Sequence, residues 1–143
     1  MKSADGRECS SFVRHKKIVL SGKKTTKLCL LNPQERDIEQ VEVDGCAITD
    51  GLRCDWLVRI NDRQPHEEIY VELKSSQVYH AVDQLEATIK KLSADRVRLA
   101  KRCLIVFRGN PMVRTDVQQN KVKFRKNFNA KFELVKDRTE IPL

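Results

Sequence analysis

The sequence predicts a single domain of the α/β class, more narrowly α+β, and three observations support this class. Strand-like segments follow one another closely, at 41–48, 52–60 and 68–74. Apolar residues with helical spacing then predict an amphipathic helix over 79–95. The continuous apolar run at 103–107 is typical of a strand that is covered on both faces. A chain of 143 residues is long enough to bury such a core as one domain.

Shorter signals predict the elements on either side of this central region. The N-terminal residues are expected to form a loose tail with a short hairpin around Ser21-Gly22. Asn32-Pro33-Gln34-Glu35 has the residue types of a helix start, because Asn caps helices and Pro suits the first helical position. A further helix is predicted over 115–127, and a last strand over 131–135.

Charge divides the chain into three parts. Residues 1–28 carry a net charge of +6, residues 29–95 carry −7, and residues 96–138 carry +10. An acidic centre between basic flanks suits a protein that holds a polyanion at its edges and a cation in its middle. The alternative is uneven surface charge on a stable domain. Within the single domain we distinguish a basic extension at 1–28, a central core at 41–107 and a basic C-terminal segment at 111–143.

Composition indicates a soluble globular protein, since 40% of the residues are hydrophobic and 34% are charged. No apolar run approaches the roughly 18 residues of a membrane helix, so no membrane partner is expected. The N-terminus has no apolar signal region, which favours a cytoplasmic location. The five cysteines are scattered without a CxxC pair, so reduced thiols are expected rather than disulfides or a zinc cluster.

Two strand pairings decide which side chains meet. Asp50-Gly51 is a strong tight-turn signal, and a two-residue turn there places Cys46 opposite Asp55. A second hairpin symmetric about Arg63-Gln64 places Asp55 opposite Glu72. The two registers together give one face without charge, which a wrong register would scramble. Its members are Val43, Gly45, Ala47, Cys54, Trp56, Val58, Ile60, Ile69, Val71 and Leu73.

The opposite face brings Asp55, Glu72 and Lys74 together. Directly opposed carboxylates on neighbouring strands have Cβ atoms about 5 Å apart, and they repel each other. A divalent cation between them turns that repulsion into attraction, and Mg²⁺ prefers oxygen ligands. The alternative is a solvated Glu–Lys pair on an exposed strand face, which is common in proteins.

The order of an upstream acid, a hairpin, Asp, an apolar strand, Glu-x-Lys, a helix and an apolar strand resembles the PD-(D/E)xK nuclease superfamily. The segments that carry this resemblance are VDGC (43–46), RCDWLV (53–58), VELKSS (71–76) and HAVDQLEATI (80–89). They look like those of small bacterial members. The resemblance implies a restriction-endonuclease-like αβββαβ core, in which a mixed central sheet is flanked by helices. Cys54 replaces the proline of the signature, and Ser75 replaces a glycine that is common in the smaller group.

The resemblance also implies an activity, namely metal-dependent hydrolysis of phosphodiester bonds in nucleic acid, in DNA before RNA. Asp55 and Glu72 would bind Mg²⁺, for which Mn²⁺ can substitute. Lys74 would orient or activate the attacking water. Gln84 stands where many superfamily members have a helix glutamine near the site.

The resemblance leaves the upstream acid open between three residues. The superfamily usually draws a glutamate from its first helix, so Glu35 and Glu39 are candidates. Asp44 competes with them, because the assumed registers place it on the face of Asp55. We favour Asp44 as the third metal ligand.

The basic C-terminal third supplies candidate phosphate contacts, which give affinity without sequence specificity. These residues are Lys101, Arg102, Arg108, Arg114, Lys121, Lys123, Arg125 and Lys126. Phe124, Phe128 and Phe132 recur every four residues, which favours a packing face over a base-stacking platform.

Two other functions stay open. One is a non-catalytic nucleic-acid-binding protein that keeps the nuclease fold, and the other is a basic protein-interaction module. A homodimer and a regulatory protein partner are both compatible with the sequence.

Overall fold

The computed structural model describes residues 1–62, 66–74 and 76–143. Two sheets and two helices lie within these residues. The strands are β1 (Ser10–Val13), β2 (Lys17–Ser21), β3 (Lys27–Leu31), β4 (Ile38–Glu42), β5 (Trp56–Ile60), β6 (Glu67–Lys74), β7 (Lys101–Phe107), β8 (Ala130–Lys136) and β9 (Glu140–Pro142). The helices are α1 (Val78–Leu92) and α2 (Arg114–Phe128). Neither helix has the length and apolar character that crossing a membrane requires.

The larger sheet is mixed and has the strand order β1-β4-β5-β6-β7-β8. Strands β4, β5 and β6 form an antiparallel meander, whereas β6, β7 and β8 are parallel and are joined through α1 and α2. The α+β class is therefore confirmed, and so are the predicted elements from β6 to β8, within a few residues. Because both crossovers proceed in the same direction along the sheet, right-handed connections place both helices on one face.

A second, three-stranded sheet covers the opposite face of the larger sheet. Its order is β2-β3-β9, and the predicted hairpin around Ser21-Gly22 is confirmed as β2–β3. Apolar residues of this hairpin pack against the inner residues of the larger sheet; these are Ile18, Leu20, Leu28, Leu30, Val58, Ile60, Ile69, Val71, Leu73, Leu104 and Val106. The sheet was expected to be flanked by helices; both helices lie on one of its faces, and strands form the other covering layer.

The helix predicted to begin at Asn32-Pro33-Gln34-Glu35 is not formed. The Asn32 side chain instead closes a turn, in which its Nδ2 donates to His15 O and Arg36 O and its Oδ1 accepts from Arg36 N. Asparagine stabilises turns by the same local hydrogen bonds that it uses to cap helices, so the motif was ambiguous. The described residues therefore contain the β-meander, α1 and β7 of the expected αβββαβ order without its leading helix.

The pairing of β5 with β6 follows the predicted register. Trp56 pairs with Val71 and Ile60 pairs with Glu67. One step further on, Asp55 N donates to Val71 O at 3.1 Å, which brings Asp55 beside Glu72. The predicted turn at Arg63-Gln64 and Ser75 of the VELKSS segment lie outside the described residues.

The predicted register of the first hairpin is wrong. Strand β4 ends at Glu42, which pairs with Trp56, so residues 43–55 form a long connection rather than two strands joined by Asp50-Gly51. Val43 N, rather than a group of Cys46, donates to Asp55 O at 3.0 Å. This shift moves Val43 and Cys54 to the cluster on the helix side of the sheet.

A disulfide between Cys9 and Cys46 contradicts the expectation of reduced thiols for these two residues, whereas Cys29, Cys54 and Cys103 are free. The two bonded cysteines are 37 residues apart in sequence, and their Cα atoms lie 5.7 Å apart. The fold brings them together because the N-terminal segment, expected to be a loose tail, joins the edge of the sheet as β1 beside β4. Spacing in the sequence gave no sign of this contact.

We predict that Gly22→Ala destabilises the protein by about 1–3 kcal/mol, which is typical of overpacking. A Cβ atom at this position would lie 2.8 Å from Leu73 Cβ, so the hairpin would have to move away from the end of β6. Urea unfolding measures the effect, with Ser21→Ala as the control because Ser21 has an exposed side chain. Equal stability of Gly22→Ala and the wild type would show that the hairpin does not pack against β6.

Candidate active site

One pocket of about 280 Å³ lies where β6 ends and α1 begins. Its lining contains every residue that the sequence analysis assigned to catalysis or to the metal, namely Asp44, Asp55, Glu72, Lys74 and Gln84. The β2–β3 hairpin adds Lys23, Lys24 and Thr26 to the rim, and Ser76 and Gln77 lie at the start of α1. The pocket therefore unites residues from four separate parts of the chain.

Asp55 and Glu72 are neighbouring acids at the bottom of the pocket. Glu72 is only 3% exposed, and no hydrogen-bond donor among the described residues reaches its Oε1. Burial, with the charge of Asp55 as a second cause, raises the pKa of Glu72 to about 8. Burial also raises the pKa of Asp55, although its Oδ2 accepts a 2.8 Å hydrogen bond from Leu73 N. The protein therefore stabilises the ionised forms of these two carboxyls poorly.

Lys74 is the cation nearest to this acid pair. Its Nζ lies 3.1 Å from Glu72 Oε2, and its side chain is about one-fifth exposed. The ammonium group favours the ionised form of Glu72, but burial and Asp55 outweigh it. Lys74 is the last residue of β6 and lines the pocket.

Asp44 differs from the other two acids, because cations hold it in the ionised form. Arg53 Nε lies 2.8 Å from its Oδ1, and Lys23 Nζ lies 3.2 Å from its Oδ2. Burial opposes ionisation, but these two partners outweigh burial and lower the pKa of Asp44. The other candidates for the upstream acid, Glu35 and Glu39, do not line the pocket.

Glu39 instead belongs to a separate buried network. Its Oε2 accepts a 2.6 Å hydrogen bond from Ser10 Oγ, and the N-terminal amine lies 3.7 Å away. Glu35 lies in the turn that replaces the expected helix, with a φ of 50°. Neither position directs a carboxylate toward Asp55 and Glu72.

Gln84 reaches the pocket from α1. Its Nε2 donates to Arg53 O at 3.0 Å, while its buried Oε1 has no donor among the described residues. The amide therefore ties α1 to the connection before β5 and leaves one acceptor oxygen toward the pocket. A second contact from α1 supports the same connection, because Cys54 N donates to Thr88 Oγ1 at 2.8 Å.

Two lysines of the β2–β3 hairpin, Lys23 and Lys24, were not predicted from the sequence to lie at the site. Lys23 is highly exposed apart from its ion pair with Asp44, and Lys24 stands beside it on the rim. The basic excess of residues 1–28 was visible in the sequence. The position of these lysines over the pocket could not be predicted from the sequence, because it depends on how the small sheet stacks on the large one.

The eight bases proposed for phosphate contact divide into three groups. Lys101 is buried, and its Nζ donates to the backbone oxygens of Asp95, Leu99 and Phe128, so this residue is not accessible to a ligand and the prediction is wrong for it. Arg102, Arg108 and Lys123 lie in ion pairs with acids of the protein. The remaining four are exposed on α2, namely Arg114, Lys121, Arg125 and Lys126.

The phenylalanine stripe is a packing face, as predicted. Phe124 and Phe128 are buried on the inner side of α2, with ring centroids 5.6 Å apart. Phe132 of β8 lies 5.0 Å from Phe124. These rings attach α2 to the sheet and are not exposed for stacking with bases.

The acid pair satisfies part of what a metal site requires. Within the described residues, no group of three or more His, Cys, Asp or Glu side chains has the arrangement of a complete metal site. Two carboxylates are nevertheless enough for Mg²⁺, which usually keeps several waters and takes further oxygens from a phosphate. The unpaired Glu72 Oε1 beside Asp55 fits such a cation.

Comparison of the chain with protein-family models, with curated proteins and with solved structures finds no match. The class that the fold and the site define is an α+β protein with a buried acid pair, one adjacent lysine and a basic rim. Its function has to be inferred from this geometry.

We predict that the metal-free protein loses stability as pH rises from 5 to 8. The folded-state pKa of Glu72, about 8, lies above the ordinary value of 4.5. The stabilisation is therefore fully present below about pH 4.5, and it is lost as pH rises through the folded-state pKa. Urea unfolding in EDTA measures the profile, and Glu72→Gln should flatten it. Parallel profiles of the wild type and Glu72→Gln would show that Glu72 ionises normally.

Proposed function

We propose that this protein is a metal-dependent nuclease that hydrolyses phosphodiester bonds of nucleic acid, in DNA before RNA. The observation that carries the proposal is the buried, unpaired Oε1 of Glu72 beside Asp55, with Lys74 Nζ 3.1 Å from the other oxygen of Glu72. This arrangement is also why we assign the chain to the PD-(D/E)xK superfamily within the same proposal.

The electrostatics of the acid pair support a cation as its ligand. A protein of this kind must either keep a proton on one carboxyl or bind a positive ion between the two. Glu72 and Asp55 would hold Mg²⁺ or Mn²⁺, and Asp44 would turn toward it if the ion replaced Lys23 as its partner. Bound there, the cation would supply Lewis acidity toward a phosphate oxygen and toward water.

The side chains around the pair have complementary roles in phosphodiester hydrolysis. Lys74 places a positive charge where negative charge develops on the phosphate in the transition state. Gln84 offers an acceptor oxygen that can orient a water molecule, because its other amide atom is fixed on Arg53 O. Lys23 and Lys24 on the hairpin attract the polyanion to the mouth of the pocket.

We predict that Lys74→Ala lowers kcat for cleavage by about 10²–10³-fold, the usual effect of removing one transition-state donor. Binding should change much less, because Lys74 is one of several cations near the substrate. Degradation of plasmid DNA and of single-stranded DNA in Mg²⁺ or Mn²⁺ measures cleavage, and Lys90→Ala is the matched control. Lys90 is exposed in the last turn of α1, away from the pocket.

The same experiment separates the alternatives. Equal cleavage by the wild type and Lys74→Ala would refute the mechanism. Binding of DNA without cleavage in either metal would identify a non-catalytic nucleic-acid-binding protein. Absence of both would favour a basic protein-interaction module.

We predict that Mg²⁺ stabilises the wild type, by about 2.7 kcal/mol when its concentration is 100 times Kd. Asp55→Asn should abolish this gain, since the variant removes one of the two charged ligands. Thermal unfolding with and without Mg²⁺ measures the effect independently of activity. Asp50→Asn, in the exposed part of the connection before β5, makes the same charge change and should retain the gain. Equal stabilisation of both variants would place the cation elsewhere.

A further inference from the structure

Three of the bases on α2 lie on one straight stripe of the helix. Arg114, Lys121 and Arg125 are separated by seven and four residues, so they share one face at 3.6 residues per turn. The stripe is about 16 Å long, because eleven residues rise by 1.5 Å each. All three side chains are exposed, and none forms an ion pair with an acid among the described residues.

One end of the stripe lies at the same end of the sheet as the candidate active site. Phe107, the last residue of β7, pairs with Lys74 at the end of β6, and α2 begins seven residues after Phe107. Tyr79 in the first turn of α1 bridges the two helices, since its hydroxyl donates to Asp116 Oδ2 at 2.7 Å and accepts from Val113 N at 3.2 Å. Arg114 is the first residue of α2, so this end of the stripe lies at the end of the sheet where β6 and β7 end.

The other end of the stripe opens into a second pocket of about 430 Å³, which we call the far pocket. Lys121 and Arg125 line it from α2, and Lys131 lines it from β8. No acid is part of its lining among the described residues. Lys131 is 73% exposed and forms an ion pair with Glu133 at 3.7 Å. The far pocket thus collects three exposed bases, two of which, Lys121 and Arg125, have no acid partner among the described residues.

The spacing of these bases indicates the kind of anion. A small anion would need donors that converge on one point, whereas these cations are distributed along a line that ends in a pocket. A polyanion with regularly repeated charges fits such a line. A straight stripe of three bases therefore suits the repeated charges of a phosphate backbone. The single acid on α2, Asp116, is engaged by Tyr79 and so does not repel such a strand strongly.

We propose that the stripe and the far pocket bind the sugar-phosphate backbone of a polynucleotide strand, which passes around the start of α2 to reach the candidate active site. This inference rests on the proposed function, because it assigns that site a substrate path along α2. Contacts of this kind position a strand without reading its bases. The protein is therefore expected to require a strand that extends for several nucleotides on the α2 side of the scissile bond.

Charge reversal on the stripe tests the path. Lys121→Glu with Arg125→Glu should weaken binding of a fluorescein-labelled 30-mer DNA more than 10-fold in 0.1 M salt. The slope of log K against log salt should fall by about 2, since each lost phosphate contact removes about 0.9. Lys16→Glu with Lys90→Glu makes the same charge change at exposed positions away from α2 and should leave that slope nearly unchanged.

The measurement is made in EDTA so that no cleavage takes place, with single-stranded DNA, duplex DNA and single-stranded RNA as separate probes. Thermal unfolding verifies that both double variants remain folded. Equal loss of affinity and equal slopes for the two double variants would overturn the path along α2. So would binding of poly-glutamate as tight as that of DNA, because the surface would then not distinguish phosphates from carboxylates.

The outcome is distinguishable from failure of the proposed function. Loss of binding in the stripe variant, in a protein that cleaves nothing in Mg²⁺ or Mn²⁺, would support the path and refute the nuclease. Cleavage by a wild type whose stripe variant binds like its control would support the nuclease and refute the path.

Discussion

The pairing of β5 with β6 is the constraint on which the candidate site depends. Strand side chains alternate between faces, so a shift of one residue would move Glu72 to the face that the small sheet covers. The observed register instead places Asp55 and Glu72 side by side on the helix face. Two like charges in this position weaken a sheet, which makes their presence informative about function rather than about stability.

Burial gives this acid pair its chemical character. Strand β6 lies in the middle of the larger sheet, and the helices cover one of its faces while the β2–β3 hairpin covers the other. Little water therefore reaches Glu72, and burial favours the uncharged form of its carboxyl by raising its pKa. The same layers expose the end of the strand, where Lys74 and the hairpin lysines surround the opening. The buried acid pair and the lysines at the opening both follow from one arrangement of layers.

The elements and pairings that depend on residues close together in sequence could be predicted from local sequence patterns. The helix α1, the strand β7 and the β5–β6 register were readable from apolar periodicity and from symmetry about a short turn. These gave Asp55, Glu72 and Lys74 their common position. The register before β5 was misjudged, because Asp50-Gly51 belongs to a long connection, and Asp44 nevertheless reaches the pocket through its ion pairs with Arg53 and Lys23.

The features that could not be predicted from the sequence depend on packing between segments that are far apart in the chain. The stacking of the small sheet, the burial of Lys101 and the contact between Cys9 and Cys46 each join segments far apart in the chain. The last of these has a consequence for the pocket. Cys46 is two residues from Asp44, so the bond ties the loop that carries Asp44 to the amino-terminal segment. Truncation of the first nine residues would release that loop, even though none of them lines the pocket. An affinity tag is therefore better placed at the carboxyl terminus.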